Sequence, residues 1–157
     1  LSIARAAGVT TILNPAPARS LPDEIYALCD FFAPNEVEAA EIVGHPVETD
    51  EQARAAGDLL LRKGAGAAII TLGARGALYH TAGMSEFVPA FSAGKVIDTT
   101  GAGDAFLGGF ATALSEGRNP VEAVRLGCAT AAIAVTRPGT APAMPMRAEI
   151  DALLSNA

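Results

Sequence analysis

Tryptophan is absent and aromatic residues supply only 5% of the chain, so no stacking platform for single-stranded nucleic acid is on offer. Positive charge is short as well. The 11 Lys and Arg face 17 Asp and Glu, a formal net charge of −6, and no basic cluster interleaves with aromatics, which argues against nucleic acid and anionic membrane surfaces as partners. Cysteine is limited to Cys29 and Cys128. Their spacing fits neither a metal site nor a redox pair and points to reduced thiols in a cytoplasmic protein. No apolar run is long enough to cross a bilayer, and no signal peptide is recognisable. An initiator methionine is missing too: the chain opens at Leu1 on a helix-like stretch over residues 1–7 and reads as a piece of something longer.

What the chain does have is apolar residues, 50% of its 157 positions, enough for one sizeable core and hence a single domain over residues 1–157. The β-branched run at residues 9–13 predicts a buried strand that ends at Asn14-Pro15, and Pro22 suits the first turn of a helix reaching residue 28. Residues 31–33 predict a second strand, stopped by Pro34. A helix then starts at Asn35 and ends at Gly44-His45-Pro46. Thr49 and Gln52 have capping-box spacing ahead of Ala53, Ala56 and Leu60, which share one helical face, and Gly64 closes that helix. Residues 67–72 form a continuous apolar strand, and residues 77–80 and 86–88 predict shorter strands joined at Ala82-Gly83. Helices follow over residues 101–114, from Asn119-Pro120 to about residue 135, and over residues 147–154. Alternating strands and helices predict an α/β protein with a mostly parallel sheet covered on both faces.

In such a sheet, ligands sit beyond the C-terminal strand ends, where Asn14, Asn35, Gly73 and Asp98 are expected to share one crevice. The most telling segment is Asp98-Thr99-Thr100-Gly101-Ala102-Gly103-Asp104-Ala105-Phe106, a glycine turn opening an apolar helix with a carboxylate in its first turn. Glycines let the backbone bend and approach a ligand, so unpaired N–H groups at the helix start can converge on an anion. A dinucleotide fingerprint from Gly101 would need glycine where Phe106 stands, and Gly94-Lys95 lacks both the leading glycine and the following Ser or Thr of a Walker loop.

Residues 98–111, DTTGAGDAFLGGFA, closely resemble the C-terminal signature of the ribokinase-like (PfkB) sugar kinases. The resemblance implies a three-layer α/β/α fold, of which this chain would be the C-terminal, nucleotide-binding part, with the sugar-binding half and lid outside it. It implies phosphoryl transfer from ATP to a sugar hydroxyl, with Asp104 as catalytic base and the amides of Gly101, Ala102 and Gly103 as an anion hole. Asn35-x-x-Glu38 is similar to the family's N-x-x-E motif near Mg²⁺ and phosphate, although the same spacing makes an ordinary capping pair. Thr71-Leu72-Gly73-Ala74-Arg75-Gly76 resembles the family's nucleotide loop, which would bring Thr71, Gly73 and Gly76 to ATP; a plain strand-to-turn connection has the same pattern. Cys128 aligns with a nucleotide-pocket position or is a buried thiol. Asp98 and Thr100, with backbone oxygens of Ala134, Arg137, Gly139 and Ala143, match the family's monovalent-cation site, which suits K⁺. Residues 14–19, NPAPAR, and 132–137 resemble the ribose-phosphorylating branch, and Arg19 is either a phosphate contact or a solvated loop residue. His45 and His80 have no partner at ligand spacing. The partners implied are a small sugar and ATP, with room for a homodimer of a longer parent. Two rival readings are a kinase of another sugar or nucleoside, and a noncatalytic nucleotide-binding module.

Overall fold

A computed structural model describes residues 1–19 and 21–156. The chain divides into two compact units, Leu1–Gly73 with Leu78–Phe87, and Ala74–Ala77 with Val88–Ala157.

The first unit is built on a sheet of strands β1 (Ile12–Leu13), β2 (Phe31–Phe32), β3 (Ala67–Thr71), β4 (Ala77–Thr81) and β5 (Met84–Val88), in the spatial order β1-β2-β3-β4-β5. β1, β2 and β3 are parallel, with Ile12 opposite Phe31 and Phe32 opposite Ala68. Between β3 and β4 lie only five residues, and between β4 and β5 only two. Connections so short cannot make a parallel crossover, so β4 runs antiparallel to β3 and β5 antiparallel to β4. β1 is shorter than the β-branched run predicts because side chains take its ladder bonds. The Thr11 amide donates to Asp30 Oδ2 at 2.8 Å, and its hydroxyl donates to the Leu28 carbonyl at 2.6 Å.

Helices α1 (Ser2–Ala6), α2 (Asp23–Tyr26), α3 (Glu36–Val43) and α4 (Asp50–Arg62) complete this unit. Pro22 is the residue before α2 rather than inside its first turn, and tight turns over residues 27–29 end that helix early. Both expected capping boxes form: Asn35 with Glu38 opens α3, and Thr49 with Gln52 opens α4. Gly44 ends α3 in the left-handed region at φ 80°, where a Cβ is disfavoured. Ala53, Ala56 and Leu60 of α4 are fully buried with Phe32, Ile70 and Leu78. Burial of each large side chain contributes roughly 1.5–3 kcal/mol.

The second unit holds α5 (Ala102–Ser115), α6 (Pro120–Ala134) and α7 (Arg147–Ser155). α5 and α6 approach through glycine: a Cβ on Gly127 would lie 2.8 Å from the Phe106 carbonyl oxygen, and one on Gly109 would lie 3.1 Å from Gly127 Cα. One expectation fails in this unit. Asp98 does not follow a strand, because the stretch ahead of it is irregular and Val96 and Ile97 are 58% and 61% exposed. Two branched residues after Gly94-Lys95 find no strand partner. The Ile97 and Asp98 amides instead donate to the Val135 carbonyl at 2.8 and 3.2 Å, tying the segment to the end of α6.

Candidate active site

In the second unit Asp98 organises the glycine turn. Its Oδ1 accepts from the Thr100 amide at 2.9 Å and its Oδ2 from the Gly139 amide at 3.0 Å. The Thr100 hydroxyl, the Thr100 amide and the Gly139 amide hold this carboxyl below the usual aspartate range, because each donor favours the charged form. Gly101 then turns the chain at φ 76°, and no side chain caps α5. A Cβ at Gly101 would lie 3.1 Å from Thr140 Cγ2, so the positive φ favours glycine here and the neighbouring side chain leaves little room for another residue.

The Ala102 amide donates to the Thr99 carbonyl at 3.1 Å, which removes it from the expected anion hole. Within the described residues, the amides of Gly103 and Asp104 have no acceptor. They are the open donors of this helix start, where the macrodipole also favours negative charge. Asp104 sits in the same first turn, exposed. Gly103 differs from Gly101. A Cβ on it would meet nothing within 4 Å, so the protein itself does not demand glycine at that position.

Of the expected cation ligands, the structure links Asp98, Thr100 and Gly139 through Asp98's two amide bonds. The Ala134 carbonyl accepts from the Arg137 amide at 3.1 Å, and the Ala143 amide donates to the Thr140 carbonyl at 3.0 Å. The Arg137 guanidinium pairs with Glu149, and its backbone carbonyl is the oxygen available to a cation. Carboxylate, hydroxyl and carbonyl oxygens are hard donors, and a carbonyl that already accepts one bond keeps a second lone pair. The set fits K⁺. Cys128 is 6% exposed on α6, and desolvation raises its thiol pKa to about 12; it is a neutral packing group. Gly76 is likewise fixed by packing, since a Cβ there would overlap the Val88 carbonyl oxygen and lie 2.6 Å from the Ala90 amide nitrogen.

In the first unit the structure gathers Asn14, Asn35, Glu38 and Thr71. Glu38 is buried, and its Oε2 accepts from the Asn35 amide at 2.8 Å and from Asn14 Nδ2 at 3.5 Å. Asn35 Oδ1 accepts from the Glu38 amide at 2.8 Å. Thr71, at the end of β3, pairs across to Asn35, and its amide donates to the Pro34 carbonyl at 3.0 Å. Asn35 and Glu38 therefore do form a capping pair, and Oε1 of Glu38 stays outside the capping bonds. A buried carboxylate with one uncommitted oxygen fits a water-mediated contact to Mg²⁺. Among the described residues no cluster of three or more His, Cys, Asp and Glu side chains could hold a metal by itself. Gly73 turns the chain after β3 at φ 56°.

Arg19 is exposed on the rim of a cavity of about 240 Å³ lined also by Leu21, Tyr26, Glu41, Ile42 and Lys63. Apart from Arg19, none of the expected site residues lines that cavity. His45 Nδ1 contacts the carbonyl of the adjacent Pro46 at 2.9 Å. Both cysteines are free, and among the described residues no helix is long and apolar enough to cross a membrane. The sequence reading passed over three contributors: Thr140 against Gly101, the Asp104 amide, and Asn14 as a partner of Glu38. Only the helix-start position of the Asp104 amide had a readable signal, since the first N–H groups of any helix lack intrahelical partners.

Known proteins resemble this chain over most of its length. Residues 1–147 match the description "pfkB family carbohydrate kinase". A ribokinase of Haemophilus influenzae is 43% identical over 155 residues, covering 99% of this chain and 50% of the relative, and a deoxyribokinase of Salmonella typhi is 40% identical over 149 residues, covering 94% and 48%. The chain thus spans about half the length of the curated relatives it matches. Among solved structures, Arabidopsis thaliana ribokinase complexed with ribose and ATP superposes with a TM-score of 0.92 at 33% identity, covering 98% of this chain and 50% of that one. The architecture is the ribokinase-like three-layer α/β/α fold, and the chain belongs to the pfkB family of carbohydrate kinases.

Proposed function

We propose that this chain is the nucleotide-binding part of an ATP-dependent sugar kinase, and that a full-length protein carrying it transfers the γ-phosphate of ATP to a hydroxyl of D-ribose, giving ribose 5-phosphate. The observation that carries the reading is Gly103. Nothing in the fold excludes a side chain there, and alanine is the better helix former. A glycine that costs stability beside two open amides is explained by a ligand that must come close.

Phosphoryl transfer asks the protein for position and charge stabilisation rather than covalent chemistry. The open amides of Gly103 and Asp104 would hold the migrating group, and loss of one such donor costs about 2.7–4 kcal/mol. Asp104 would accept the proton of the sugar hydroxyl as its oxygen attacks phosphorus, a role worth roughly 10²–10⁴ in rate. Asp98, through its bonds to the Thr100 and Gly139 amides, ties the turn to the loop whose carbonyls, with Asp98 and Thr100, would hold K⁺. Thr71 and Gly73 would line the nucleotide loop. Glu38, fixed by Asn35 and Asn14, would hold Mg²⁺ through water, and the ion would neutralise phosphate charge.

The test is transfer from labelled ATP by the full-length protein in Mg²⁺ and K⁺, offered D-ribose, 2-deoxy-D-ribose and a nucleoside. Preference for ribose is expected. An Asp104→Asn variant should lose roughly 10²–10⁴ in kcat with nucleotide affinity retained. Transfer to none of the acceptors, or an unaffected Asp104→Asn variant, would overturn the assignment. A second acceptor is favoured by the deoxyribokinase relative, and the panel decides between the two sugars.

A further inference from the structure

We infer that Ser85, His80 and Asp58 form a relay that makes the Ser85 hydroxyl a nucleophile toward activated esters, a second reactive site in the first unit that phosphoryl transfer leaves unused. His80, on β4, is 7% exposed. Its Nε2 lies 3.0 Å from Oδ1 of Asp58 on α4, and its Nδ1 lies 3.1 Å from Oγ of Ser85 on β5. A carboxylate only accepts, so Nε2 carries the hydrogen and Nδ1 presents a lone pair to the serine O–H. Nucleophile, base and orienting carboxylate then stand in the order that activates a serine. The two ring nitrogens are exchanged relative to the protease triad, which leaves the proton path unchanged.

The fold makes room for this imidazole at a cost. A Cβ on Gly57 would lie 2.6 Å from His80 Cδ2 and 2.8 Å from its Cγ. Glycine inside α4 costs about 0.8–1 kcal/mol relative to alanine, and the ring occupies the space released. The relay is not sealed from solvent. The Asp58 side chain is 57% exposed, Ser85 is half-buried, and β5 is an edge strand of the described sheet. Arg54, one turn before Asp58, stacks its guanidinium 4.6 Å from the Phe87 ring centroid. Phe87 shares the Ser85 face of β5, so a cation stands on that face of the strand.

With an aryl acetate, Ser85 Oγ bonds to the acetyl carbon while its proton passes to His80 Nδ1. The ester C–O bond then breaks, the phenolate leaves with the bonding pair, and the imidazolium returns its proton to solvent. The product is an acetyl ester on Ser85, which water hydrolyses to acetate with the same base.

The test is to treat the purified chain with p-nitrophenyl acetate, follow release of nitrophenolate and locate the acetyl group by peptide mass spectrometry. One acetyl on Ser85 is expected, formed roughly 10²–10⁴ more slowly in His80→Gln. Asp58→Asn changes an exposed side chain, leaves the fold intact by circular dichroism, and should slow the reaction at least about tenfold. Acetylation confined to amines, or a Ser85 rate unchanged in Asp58→Asn, would overturn the inference and leave the three residues as a tie between hairpin and helix.

Discussion

Replacing Gly103 by Ala is expected to strengthen the fold while removing its anion site. The added methyl meets no protein atom within 4 Å, so no packing penalty arises, and the helix gains up to about 1 kcal/mol in propensity. The same methyl stands beside the open amides of Gly103 and Asp104 and keeps a phosphoryl oxygen from reaching both. One lost donor is worth about 10²–10³ in turnover, so binding and catalysis fall while stability rises. Gly108 supplies the control: it lies further along α5, and a Cβ there also meets nothing within 4 Å. Urea denaturation should show Gly103→Ala and Gly108→Ala both at least as stable as the parent, and calorimetric titration with the Mg²⁺ complex of a non-hydrolysable ATP analogue, which keeps the γ-phosphoryl group, should show binding weakened in the first alone. A Gly103→Ala chain that is destabilised, or that binds the ATP analogue as the parent does, would refute the reasoning.

Other expectations follow from the same geometry. Gly109→Ala, one residue beyond the control, should destabilise by about 1–3 kcal/mol in the same denaturation experiment. Its Cβ would collide with the Thr130 hydroxyl, which donates to the Leu126 carbonyl at 2.7 Å, and a gain in stability would show that α5 and α6 are not closely packed. Asp98 has a folded pKa below the ordinary 3.8, so its contribution is complete above the unfolded value and disappears as pH falls through the folded one. Urea midpoints of the parent and Asp98→Asn should therefore differ at neutral pH and converge on acidification; a gap that widens in acid contradicts the bonding. Cys128, with its thiol at about 12, should not react with a disulfide reagent at mild alkaline pH until the chain unfolds. Rapid modification of the native chain at that residue would show that it is accessible.

Local chemistry was the legible part of this fold. Asn35 with Glu38 and Thr49 with Gln52 each read as a cap at three-residue spacing, and each forms its box, while Asn119, read as an N-cap before Pro120, is completed by Glu122. The turn at Gly101 was readable because glycine is the natural residue for a left-handed start to a helix. Pairings that depend on distant chain were not readable. The Thr11 amide goes to the Asp30 side chain, 19 residues away, and the segment before Asp98 turns to the Val135 carbonyl instead of entering a sheet. The Ala102 amide left the anion hole through one bond to Thr99, a matter of a single turn's geometry. His80 offered no partner by local spacing because Asp58 stands 22 residues earlier on another element. Gly57, an unexplained glycine inside α4, was the mark it left in the sequence.

The most direct measurement is calorimetric titration of the purified, folded chain with the Mg²⁺ complex of a non-hydrolysable ATP analogue in K⁺ buffer. Saturable heat with one site per chain is the predicted result. A chain that is folded by circular dichroism yet gives no heat of binding would contradict the assignment of the Gly101–Asp104 turn as a nucleotide phosphate site.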